Sequence, residues 1–115
     1  MNSIKRKAFE NEIKQAKINI QLGNIDLAFK HLENAHVIGQ NYVIPHVLSH
    51  WLMMKLEFKN RKYSWAFGQL IRIVLGAIGS CIGVVPEGNT GGSNVSMWKK
   101  MSIKPELQDI VDSKN

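Results

Sequence analysis

Between His31 and His50 the chain carries all four of its histidines and one abrupt break, and this restricts the fold more than any other stretch. The segment reads HLENAHVIGQNYVIPHVLSH. On the near side of the break stands Glu33-x-x-His36, on the far side His46-x-x-x-His50. Spacings of three and four put each pair on one face of a helix. The break runs from Gly39 to Ile44 and is closed by Pro45. Glycine and asparagine end helices, and proline is favoured at the first position of a new one, so the stretch predicts a helical hairpin. In an antiparallel hairpin, facing positions have residue numbers of near-constant sum. Glu33 then faces His50, His36 faces His46, and four potential ligands meet at one level.

The flanking sequence extends this helical pattern. Ile4, Ala8, Phe9, Ile13, Ala16 and Ile20 recur at three- and four-residue spacing with lysine and glutamate between them, which predicts an amphipathic helix over 3–22 with Ser3 as N-cap. Gly23-Asn24 ends it, and a second helix follows over 25–38, presenting Ala28, Leu32 and Ala35 for close packing. A third is expected over 45–59, with Val47, Leu48, Trp51, Leu52, Met54 and Phe58 as its apolar face. A fourth is expected over 64–84, with Ser64 as N-cap and a small-residue face of Gly76, Gly79, Ser80 and Gly83. A Gly-rich loop follows over 86–94, then Trp98 as an anchor onto the core. A short helix opens at Pro105, and the polar chain end is expected to fray.

The fourth helix is apolar almost all round, with Arg72 its only charge. Its uninterrupted apolar run, Ile73 to Val85, is shorter than the ~18 residues a membrane span needs. The expectation is therefore a buried central helix, with Cys81 as a small buried hydrophobe. Arg72 must then find Glu33, Glu57 or backbone carbonyls, or reach the surface, because a buried unpaired charge is costly. One cysteine allows no internal disulfide. The N-terminus has basic residues but no apolar run behind them, so no signal peptide and a cytoplasmic location are expected.

The residues Leu22 to Phe29 and Leu32 to His36 resemble a tetratricopeptide-type hairpin; a solenoid needs several such units, and only one is present. Four longer strings carry a second resemblance: Glu33 to Gln40, His46-x-x-x-His50-Trp51, Gly68 to Ile73, and Val85 to Ser96. They are similar to a family of short bacterial proteins known as a domain of unknown function. That resemblance implies a bacterial origin and a complete single-domain protein, and it implies no activity. The expected fold is all-α. It is a compact bundle of four main helices over 1–85, opened by the tetratricopeptide-like hairpin, with an irregular loop and a C-terminal extension over 86–115.

Two chemistries suit the histidines. Neutral imidazoles with one carboxylate bind zinc, iron or nickel, and Met53 and Met54, one turn past His50, add copper. The expected metal ligands are Glu33, His36, His46 and His50; His31 points elsewhere on its helix. Glu-x-x-His also occurs in di-iron bundles, but those need further carboxylates, and only Glu57 and Glu87 are at hand. Alternatively the cluster is a structural polar network inside an interaction module. Such a module would dock a partner, or a second copy of the chain, through the Gly76/Gly79/Gly83 face or through Trp65 and Trp98. The loop lacks the Lys-Ser/Thr of a nucleotide-binding loop, so its glycines read as tight-turn formers. Net charge is +6, spread along the chain. The basic turn at Lys55, Lys59, Arg61 and Lys62 has no recognition helix beside it, so nucleic acid is not an expected partner, nor is a membrane.

Overall fold

The computed structural model describes residues 1–114 and contains five helices, with no strand among the described residues. They are α1 (Ser3–Gln21), α2 (Ile25–Gly39), α3 (Val43–Lys59), α4 (Tyr63–Ile82) and α5 (Pro105–Val111). The all-α expectation holds, with element bounds close to those read from periodicity. The caps differ. Asn2, not Ser3, caps α1, its side chain accepting from the Lys5 amide. The α4 helix starts at Tyr63 after Lys62, leaving Ser64 inside it. The chain end is tied down rather than frayed: the Asn2 side-chain amide donates to the Ser113 carbonyl at 3.0 Å. Asn115 lies outside the described residues.

The apolar core belongs to one half of the molecule. Phe9, Ile13 and Ala16 of α1 pack on Ala28, Leu32 and Ala35 of α2. Three alanines on the facing stripes let the two axes approach closely. Gly23 makes the turn between them with φ +79°, a conformation glycine adopts without a Cβ penalty. Leu107 of α5 closes this core from the C-terminal end, and Met53 and Leu56 of α3 close it from the other side.

The second hairpin, α3 on α4, is built the other way round. The inward stripe of α3 is His46, Ser49, His50, Met53, Leu56 and Glu57, while Trp51 and Phe58 of the expected apolar face are exposed. No residue of α4 joins the apolar core. Of its twenty residues only Ala66 and Gln69 are buried, whereas Phe67 is 64% exposed. The expected buried central helix is thus an outer helix, and Cys81 on it is exposed. Hydropathy reports how apolar a helix is and not what covers it, which is why the sequence misleads here. By length and composition α4 is able to cross a membrane, and 11% of its apolar window is buried within the molecule.

The connector after α4 folds back over the open end of this second hairpin. Its course is set by three polar side chains, of which Gln40 and Asn89 are buried and Arg72 is half-buried. The Gln40 amide bridges it, donating to the Pro86 carbonyl and accepting from the Gly88 amide, both at 3.0 Å. Asn89 donates to the carbonyls of Ser96 and Lys99 and accepts from the Gly91 amide. Arg72 reaches three carbonyls of the connector, those of Gly91, Gly92 and Val95. Of the partners foreseen for Arg72, backbone carbonyls are the ones it takes. Trp98 does not pack onto the apolar core; it is 70% exposed.

This division of labour predicts unequal sensitivity to mutation. Leu32→Ala, in the full apolar core, should lower unfolding free energy by about 2–5 kcal/mol. Phe67→Ser, on the outer face of α4, should change it by no more than about 0.5 kcal/mol, as for an ordinary surface position. Urea denaturation of both variants checks this.

Candidate metal centre

Three imidazoles meet where α2, α3 and the connector converge. His36 comes from the last turn of α2, and His46 and His50 from one stripe of α3. All three side chains are buried. Their ring centroids lie 4.6 to 5.0 Å apart. The closest pair is His36 Nε2 and His50 Nε2 at 3.0 Å.

The hydrogen bonds on the far side of each ring define the chemistry. His36 Nδ1–H donates to the Asn89 carbonyl at 2.7 Å. The Ser80 hydroxyl donates to the Gln40 carbonyl, so it accepts from His46 Nδ1–H, at 2.7 Å. The Gln69 amide donates to the Gly91 carbonyl, so its oxygen accepts from His50 Nδ1–H, at 2.6 Å. Each neutral ring therefore carries its proton on Nδ1 and leaves Nε2 without one, and the Nε2 atoms of His36 and His50 face each other. This arrangement, a ring nitrogen aimed inward and its N–H held by an oxygen outside, is how metal-binding histidines are oriented.

Burial keeps these rings neutral. It pushes His46 and His50 down to about 4. His36 is held well below the usual histidine range by burial and by its two neighbours. The Nε2 atoms of His36 and His50, 3.0 Å apart, repel unless a proton or a metal cation lies between them. A tetrahedral ion bound at 2.0–2.1 Å needs donor nitrogens about 3.3 Å apart. The three candidate ligand atoms here lie within 4.8 Å of one another, so the widest separation exceeds that spacing by about 1.5 Å, while His36 and His50 already meet it.

Glu33 does not join them. His36 meets His46, as expected, and also His50, the position expected to face Glu33, which lies about a turn earlier in α2. Its carboxylate sits 3.8 Å from where a Cβ on Gly92 would begin. Desolvation raises its pKa, opposed by Lys30 and Lys104. Met53 is also outside the donor set; its sulfur accepts from the Gln69 amide at 3.6 Å. His31 is apart as expected, against Glu12 of α1 at 2.7 Å.

Two glycines let the rings fit. A Cβ on Gly91 would lie 2.5 Å from the His36 ring, and Gly91 also has φ +78°. A Cβ on Gly76 would lie 2.9 Å from the His46 ring. The small-residue face of α4 is thus turned, at Gly76 and Ser80, toward His46. The outer supports Ser80, Gln69, Asn89 and Gly91 were not foreseen as parts of the site. Gln69 gave the one available signal: like Arg72, it is a polar residue within an apolar helix. Beyond the three Nε2 atoms opens a cavity of about 220 Å³. Leu75, Ile78 and Ile82 of α4 wall it, with Val84, Met97 and Trp98 of the connector.

The fold and the site together define a small helical bundle with a buried three-histidine cluster open on one side. Residues 3–111 match the family described as a protein of unknown function, DUF3703, and the chain belongs to that family. No curated protein and no solved structure matches it.

The neutral rings make the fold acid-sensitive in a defined window. Above pH 6.5 the histidines are neutral whether folded or unfolded, and they contribute nothing to pH dependence. Below it the unfolded chain takes up protons that folded His46 and His50 refuse until about pH 4. Stability of the metal-free protein should therefore fall from pH 6.5 to 4, by about 1.4 kcal/mol per pH unit for each buried histidine. Glu33 and Glu57, whose pKa values are raised, offset part of this near the lower end. Denaturant titrations across the window check the slope, which His46→Gln should reduce. Gly91→Ala should lose about 1–3 kcal/mol from backbone strain alone. Gly68→Ala, in helix with open space around it, should gain about 1 kcal/mol.

Proposed function

We propose that this protein binds a divalent transition-metal ion through Nε2 of His36, His46 and His50, with the fourth coordination position facing the cavity. The observation that carries this reading is the set of three Nδ1–H donations to fixed oxygens, which leaves Nε2 of three clustered, buried imidazoles without a proton. A donor set of three imidazoles suits zinc, copper, nickel or iron more than magnesium or calcium, which favour oxygen. No thiolate or carboxylate lines the cavity, so nothing beside the ion is placed to act as a general base. The role is accordingly binding, as a carrier, sensor or store, in preference to hydrolysis.

Metal analysis of untagged protein tests this. Wild type should take up about one zinc or nickel ion per chain, and His36→Gln or His50→Gln should reduce uptake at least tenfold, in line with the loss of a ligand. Glu33→Gln should leave uptake unchanged. Less than a tenth of an ion per chain after dialysis against each metal would remove the reading.

A second reading rests on the outer face of α4. Phe67, Ile71, Val74, Ile78 and Ile82 follow one another at three- and four-residue spacing and are all exposed. Such a seam is that of a helix packed along another helix, and here a second copy of the chain is the occupant. In this reading the histidines form a structural polar network. Sedimentation at micromolar concentration should give a dimer that Ile71→Glu returns to a monomer. A wild-type monomer that pellets with lipid vesicles would assign the face to a membrane surface instead.

A further inference from the structure

We infer that the cavity above the three imidazoles is a site for a small amphipathic anion, a monocarboxylate with a short hydrocarbon tail, whose head group takes the open position on the metal ion. This rests on the metal-binding reading and names what that site would receive.

Charge argues for the head group. A divalent ion on three neutral imidazoles keeps its full charge of +2, and the only charged side chain lining the cavity, Arg72, is also positive. The nearby acids are elsewhere: Glu57 accepts from the Ser93 hydroxyl at 2.9 and 3.0 Å, and Glu33 lies toward Gly92. Between buried imidazoles and apolar walls such an excess of positive charge favours an anion entering from the open side.

The walls argue for the tail. Leu75, Ile78, Ile82, Val84 and Trp98 surround the approach to the imidazoles. The outermost of them are largely exposed, leaving an apolar funnel that a solvated inorganic anion would not fill. At about 220 Å³ the cavity exceeds the ~150 Å³ of an apolar cavity that takes up benzene. It is smaller than the ~300–1,000 Å³ of sites for larger ligands, so it suits a small molecule and not a peptide.

Cobalt(II)-loaded protein provides the test, because its visible spectrum reports the ligands on the ion. Uptake of Co²⁺ is measured first by equilibrium dialysis, and the loaded protein is then titrated with acetate, butyrate, hexanoate and hexylamine. Each carboxylate should change the spectrum, and affinity should rise about fourfold per added methylene, the ~0.8 kcal/mol of a buried CH₂. Hexylamine should do nothing. Ile82→Ser should weaken hexanoate several-fold while leaving acetate binding and Co²⁺ uptake unchanged. Equal affinities for acetate and hexanoate in a protein that holds cobalt would overturn the inference and leave the metal reading standing. So would a response to hexylamine equal to that to hexanoate. A protein that takes up no cobalt would overturn both.

Discussion

Three hydrogen bonds, from the Nδ1–H groups of His36, His46 and His50 to the oxygens of Asn89, Ser80 and Gln69, organise half of this molecule. Each acceptor is itself held. Ser80 is fixed by the Gln40 carbonyl, and the Gln69 amide by the Gly91 carbonyl. Asn89 is fixed by its own side-chain bonds to Ser96 and Lys99. The connector 83–104 is irregular, yet it has a defined path because these partners and Arg72 determine where its carbonyls lie. Gly76 and Gly91 are required by the same bonds, since a side chain at either position would displace a ring. A buried network of this kind contributes to stability only when its members are satisfied; on the outer side of each ring they are, while Nε2 of His36 and of His50, 3.0 Å apart, have only each other.

The α3–α4 hairpin gives up apolar burial to hold that network. Burying a large apolar side chain contributes about 1.5–3 kcal/mol, yet Trp51, Phe58, Phe67, Val74 and Ile78 stay largely exposed while histidine, glutamine and glutamate turn inward. The α1–α2–α5 core supplies the compensating stability, with its facing alanines, Leu32 and Leu107 shielded from solvent. One half of the chain thus serves as scaffold, and the other as a polar site with an apolar exterior. A fold selected only for stability would have arranged the second hairpin the other way.

The helices were legible because each carries a local pattern: apolar spacing in α1 and α2, Gly39 and Pro45 at the break, Pro105 at the start of α5. His36, His46 and His50 were legible because hairpin geometry brings them together. Glu33 was expected among the histidines but lies outside their cluster, because a sum rule locates facing positions only to within about a turn. Asn89 lies 53 residues from His36, and Ser80 lies 34 from His46. No local periodicity links partners so distant in the chain. The exposure of α4 was illegible for a different reason. An all-apolar helix reads the same whether protein, lipid or a second copy covers it, and only the packing of α3 tells which face is turned inward.

The central claim is that three neutral rings, each protonated at Nδ1, aim their Nε2 lone pairs at one point. Long-range ¹H–¹⁵N correlation spectra of the metal-free protein at pH 7.5 report the protonation of every imidazole nitrogen directly. His36, His46 and His50 should each show a protonated Nδ1 and a bare Nε2, and all three Nε2 resonances should shift together when one equivalent of zinc is added. A proton on any Nε2, including one shared between His36 and His50, with no response to zinc, would contradict the claim and leave the cluster a structural network.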